Sequence, residues 1–260
     1  MGSILVTWMF REHHVATQSE VLLFVMNMGF TLVNCGLIWV LYIALEPFVR
    51  RRWPEILVSW TRLLSGEWTD PVVGRDVLVG CATGVALACE WRLAQLSPSW
   101  FGHPEELWTT TFVPLTGTGS FISELASMSG RVMAGALAFL FLLFLVRTVL
   151  RNQWIAAGGW VLIVASPTII GDEVPWITAP FVLIWVMLAL FLLMRFELVA
   201  LAFSALAYGV FDQFPMTLQI SAWYSGMSLA AFVVLLALSL YGFRTSLGKR
   251  PLLDVASVED

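Results

Sequence analysis

An all-α, polytopic membrane bundle is the fold this sequence predicts. It has about seven transmembrane helices, an N-terminal helix stub and one interfacial amphipathic helix. Three observations predict it. The 260 residues are 59% hydrophobic and 12% charged, against about 25% charged in soluble domains. Apolar segments near 20 residues recur along the chain, each long enough to cross a hydrocarbon core of about 30 Å. Eleven of the 14 basic residues fall in every second gap between those segments, as expected when basic residues are retained on the cytoplasmic side. Thirteen tryptophans reinforce the pattern. Trp53, Trp68, Trp91, Trp100, Trp154, Trp176 and Trp223 lie where apolar segments end, the headgroup depth that amphipathic rings prefer.

The expected spans are 20–46, 76–96, 125–147, 153–170, 177–195, 197–212 and 219–243. The first is closed by Pro47. The fifth and sixth form one apolar run too long for a single crossing, so Arg195-Phe196-Glu197 is read as a tight turn, although no Gly or Pro marks it. Arg50, Arg51, Arg52, Arg62 and Arg75 fill one gap, Arg147 and Arg151 another, Arg195 a third. Arg244, Lys249 and Arg250 follow the last span. Only Arg11, Arg92 and Arg131 break the alternation. The segment before Glu20 is therefore expected outside and the tail after Arg244 in the cytoplasm. Residues 15–246 form a single multi-pass domain, and 247–260 a cytoplasmic tail.

Ile4 to Phe10 is apolar but too short to span, and it lacks the basic start and small-residue cleavage site of a signal peptide. Residues 1–14 fit either the remnant of a preceding span or a frayed interfacial segment. In the cytoplasmic segment 47–75, Ile56, Leu57, Trp60, Leu63 and Leu64 recur at helical spacing, which predicts an amphipathic helix lying in the interface. Arg50, Arg51 and Arg52 before it, with Arg62, can meet anionic headgroups. The external loop 97–124 is long for a connection and is either a sensing segment or a plain linker.

Ionisable groups inside spans are costly. Glu90 and Arg131 lie about 10 Å below the outer boundary of adjacent antiparallel spans, so an ion pair between them is expected, with Arg92 an alternative partner. Asn27, Thr31 and Asn34 make one polar stripe on the first span, suited to interhelical hydrogen bonds or to a lined pathway. Gly80, Gly84 and Ala88 make a small-residue ridge that permits close helix approach, and a homo-oligomer through it is one use. Cys35, Cys81 and Cys89, an odd number inside spans, read as packing residues and not as a disulfide framework.

Three stretches carry a resemblance. Glu46-Pro47-Phe48-Val49-Arg50-Arg51-Arg52-Trp53-Pro54, Ser59-Trp60-Thr61-Arg62-Leu63-Leu64 and Asp70 to Gly80 form one block. Ser221 to Gly226 and Leu240 to Thr245 with Arg250-Pro251-Leu252 form the other two. Together they resemble the C-terminal multi-pass membrane region of a group of bacterial serine/threonine protein kinases. The resemblance implies a cytosolic kinase domain preceding the membrane region and joined to it by one more span, which the stub at Ile4–Phe10 would end. It also implies a bacterial inner-membrane location. No Gly-rich loop, His-Arg-Asp or Asp-Phe-Gly motif occurs in this chain, so no kinase residue is carried over.

Other chemistries find little footing. The histidines are His13, His14 and His103, all outside the expected spans. Intramembrane metal or serine proteolysis needs a histidine inside the membrane. Glu105-Glu106 resembles the paired glutamates of CAAX-type membrane proteases, without the span histidines that family requires. Retinal chemistry needs a buried Lys, and Lys249 follows the last span. No cofactor and no nucleic-acid partner is expected. The partners expected are the bilayer with its anionic headgroups, and a kinase domain or a second copy. The reading is a membrane anchor or sensory module of a kinase-type signalling protein, with a small transporter or channel as the alternative. Transporters usually show inverted repeats and spans broken near the midplane, and neither is evident.

Overall fold

The computed structural model describes residues 18–52, 58–103 and 113–248. The remnant at 1–14, Glu105 and Glu106, and the tail from Lys249 lie outside them, as do the side chains of Asn27, Thr31 and Arg50 to Arg52. Among the described residues the chain is helical, with no strand. In order the helices are α1 (Gln18–Arg52), α2 (Val58–Leu64), α3 (Pro71–Trp100), α4 (Thr118–Leu150), α5 (Gln153–Ile170), α6 (Pro175–Arg195), α7 (Glu197–Gln213) and α8 (Ser225–Leu247). A single 3-10 turn, Val113–Thr116, precedes α4.

Six helices are long and apolar enough to cross a membrane: α1, α3, α4, α5, α6 and α8. This is the multi-pass helical bundle that the composition predicts. Seven were expected, and the difference is α7. Its 17 residues rise about 25 Å, short of a hydrocarbon core. Nine of those 17 are buried, because α7 packs against α3, α4, α6 and α8. A helix enclosed by protein is not held to the length that lipid imposes.

The turn between α6 and α7 falls where the sequence places it. The Phe196 amide closes α6 on the Leu192 carbonyl, and Glu197 takes φ 78°. That is the left-handed region, where glycine is the usual occupant, so composition alone gives no sign of this turn. The apolar, membrane-crossing part of α1 ends at Pro47, as expected, while the helix itself runs on to Arg52. The Pro47 ring removes one backbone donor.

Local chemistry sets the other helix starts. Asp70 caps α3 by accepting from the Val72 amide at 2.8 Å, with Pro71 in the first turn. Asn152 caps α5 through the Trp154 amide at 2.9 Å. Trp160, fully buried, donates its indole N–H to the Phe139 carbonyl at 3.1 Å and meets the Phe139 ring edge-on, joining α5 to α4. By contrast Trp68, Trp100, Trp154, Trp176 and Trp223 are exposed near helix ends, as an aromatic belt requires.

The ridge of small residues on α3 faces α7. A Cβ on Gly80 would lie 2.5 Å from the Ala200 carbonyl and 2.9 Å from the Phe203 Cβ; one on Gly84 would collide with the Ser204 carbonyl. Ala88 is buried as well. The ridge is thus used inside the chain, against the parallel helix α7. At the start of α3, Gly74 and Gly242 let α8 cross just as closely, with Thr245 and Leu78 in contact range.

Candidate functional site

Polar groups gather at the two ends of α3 and α7. At the first end, Ser59 on α2 donates its hydroxyl to Asp76 at 2.5 Å and its amide to Glu197 at 2.6 Å. Asp76 is fully buried and also accepts from Arg75 Nε at 2.9 Å. The Arg75 guanidinium lies over the Phe196 ring, 5.9 Å from its centroid, within cation–π range. The Tyr241 hydroxyl of α8 reaches the Trp68 carbonyl at 2.5 Å. Of the apolar stripe expected on this helix, Trp60 is buried in the core and Leu64 is exposed. Ser59 bonds the buried Asp76 and the half-buried Glu197, and docking there carries Trp60 inward.

Arg62, assigned to the basic headgroup-facing cluster, is committed to a protein partner. Its Nη1 donates to Asp70 at 2.6 Å. Burial pushes the Asp70 carboxyl upward, but the Arg62 hydrogen bond and the Val72 amide outweigh this and hold it below the usual aspartate value. A lowered folded-state value means the contact contributes fully above the ordinary aspartate pKa of about 3.9 and fades as pH falls through the lowered one. Acidification is therefore expected to loosen the α2–α3 connection. Asp70→Asn, which keeps a capping oxygen, is expected to remove that acid dependence, read by proteolysis of the 62–70 segment against pH.

At the opposite end the expected Glu90–Arg131 pair does not form. Arg131 bonds Glu124 at 2.6 Å, Gln213 at 3.0 Å and Ser127 at 3.0 Å. Glu124 lies two helical turns before Arg131 on the same face of α4, a partner hidden from sequence reasoning because that stretch is read as external loop. Arg92, the alternative partner, approaches Asp212 at 3.7 Å and bonds Gln95 at 2.9 Å. Both carboxylate oxygens of Glu90 are buried without a hydrogen-bond partner. Double-mutant cycles on unfolding are expected to couple Glu124 with Arg131 by about 1 kcal/mol, and Glu90 with Arg131 by no more than about 0.5 kcal/mol.

Of the remaining sequence-predicted positions, Cys89 lies beside Arg92 and Asp212 at this second end. Asn34 is exposed on α1 and bonds only its own helix, at the Phe30 carbonyl, 2.8 Å. Cys81 is buried as a packing residue, whereas Cys89 is exposed. His103, the one described histidine, stacks edge-on near Trp176 at 6.2 Å. Among the described residues no three His, Cys, Asp or Glu side chains converge in a metal-binding group. One end is a docked and hydrogen-bonded platform, and the other is a set of charged side chains beside a cleft. No protein-family model, curated protein or solved structure matches this chain.

Proposed function

We infer that this chain is the membrane domain of a bacterial serine/threonine-kinase-type signalling protein, anchoring it in the inner membrane and sensing from the outer side. One observation carries the reading. Parts of the stretches that resemble the kinase membrane regions, distant in sequence, lock together at the arginine-rich end of the bundle. Ser59 bonds Asp76, Gly242 crosses Gly74 and Leu78, and Thr245 abuts Gly74. A folded surface at that end is what a cytoplasmic domain would need in order to feel a change within the bundle. The arginine alternation supports placing this end, and the C-terminus, in the cytoplasm.

Two measurements test it. A green-fluorescent reporter fused after the last residue is expected to fluoresce, and an alkaline phosphatase at the same position to be inactive; the reverse result removes the orientation on which the reading depends. DNA immediately upstream is expected to encode a kinase domain with a Gly-rich loop, a His-Arg-Asp loop and an Asp-Phe-Gly metal site. An unrelated upstream frame in a separate operon would remove the kinase assignment.

A further inference from the structure

A cleft of about 640 Å³ opens between the last turns of α3 and α7 and the segment 214–224. That volume falls within the range of small-molecule sites. Its walls are Tyr208, Phe211, Met216 and Tyr224, and its charged groups are Arg92 and Asp212. The two charges face each other without closing. Arg92 Nη2 stands 3.7 Å from Asp212 Oδ1, whereas a charge-assisted hydrogen bond runs about 2.7–2.9 Å. Asp212 Oδ1 is buried and has no hydrogen-bond partner. Arg92 spends Nη1 on Gln95, and its Nη2 reaches the Asp212 carbonyl only at 3.5 Å.

We propose that this cleft binds a free α-amino acid with an apolar side chain. The Asp212 carboxylate, one-fifth exposed to the cleft and with no hydrogen-bond partner at Oδ1, takes N–H donation from the ligand's ammonium, and the under-used Nη2 of Arg92 donates to its carboxylate. The protein pair is neutral in sum, so a neutral zwitterion satisfies both groups without burying a net charge. A plain amine or a plain acid would satisfy one and strand the other. Aromatic faces at Tyr208, Phe211 and Tyr224 suit an apolar side chain and favour a nearby ammonium. Arg92 and Asp212 interrupt the apolar pattern at the end of the bundle that the arginine alternation assigns to the outside, so the ligand would enter from there. The proposal goes beyond the kinase-linked reading and does not depend on it, since binding is measured on this chain alone.

The test is equilibrium binding of labelled L-phenylalanine and L-leucine to the purified full chain in nanodiscs, beside 2-phenylethylamine and 3-phenylpropionate. Saturable binding of at least one amino acid, one per chain, is expected. The two single-charge analogues should bind at least about tenfold more weakly, the worth of one charge-assisted bond. Asp212→Asn and Arg92→Gln should each weaken binding by a similar factor. Met216→Trp, which fills the cleft and leaves the charges in place, should abolish binding while the unfolding midpoint holds, and it serves even if a charge variant fails to fold. No saturable binding of either amino acid at millimolar concentration overturns the proposal. So does equal binding of the amine or the acid, and so does undiminished binding to a folded Met216→Trp protein.

Discussion

Replacing Gly84 by leucine is expected to cost at least about 3 kcal/mol of unfolding free energy, beyond the usual 1–3 kcal/mol for added core methylenes. The reason is backbone contact. A Cβ at this position already collides with the Ser204 carbonyl and would lie 2.8 Å from the Ala207 Cβ. Neither of those atoms sits on a side chain that can swing away, so relief requires α3 and α7 to separate. In lipid there is little hydrophobic force to hold separated helices together, and close packing supplies most of the adhesion. Gly84→Ala should cost about 1–3 kcal/mol, and Gly80→Ala, facing the Ala200 carbonyl and Phe203, a similar amount. Gly29 and Gly36 on α1 are the controls, since a Cβ there meets nothing within 4 Å. Alanine at either should be neutral or stabilising by up to about 1 kcal/mol through helix propensity. Reversible unfolding in mixed micelles reads all of these, and equal effects at Gly84 and Gly36 would refute the packing account.

That contrast bears on what a sequence of this kind makes legible. Hydropathy and arginine placement are read residue by residue along the chain, and they located α5, α6 and α7 to within about two residues but missed ends of α3, α4 and α8 by up to about seven. The ridge of Gly80 and Gly84 was legible as a close-approach surface, because only small residues permit it. Its partner was not, because α7 is an apolar helix like the rest and its central place depends on tertiary packing. The turn at Glu197 could be placed only by excess length, since the residue that adopts the positive φ is not the glycine that usually announces one. Polar partnerships were the least legible. Glu90 and Arg131 match in depth, but depth fixes one coordinate only. Glu124, already on Arg131's own helix, needs no second helix to arrive in the right rotation.

Removing the Asp76 carboxylate is the other change expected to have a large effect, and it acts on the docking of α2. Asp76 is fully buried and accepts from Ser59 and from Arg75. Hydrogen bonds to a charged group contribute about 1.5–3 kcal/mol each. The Arg75 contact is discounted because that side chain is 49% exposed. Asp76→Ala should therefore cost about 2–4 kcal/mol. Asp76→Asn, which keeps the shape and one acceptor, should cost less. The effect should also be local. With Asp76 gone, α2 is held by the Ser59 amide on Glu197 and by burial of Trp60, so amide exchange across Val58–Leu64 should accelerate far more than exchange in α5 or in the middle of α6. Ser59→Ala should reproduce most of that acceleration, and the double variant should add little, because both changes break the same bond. If exchange in α2 were unchanged in Asp76→Ala, the buried carboxylate would not be what pins this helix. The folded surface at the arginine-rich end would then rest on the α3–α8 glycine crossing and on the Arg62–Asp70 and Tyr241–Trp68 contacts.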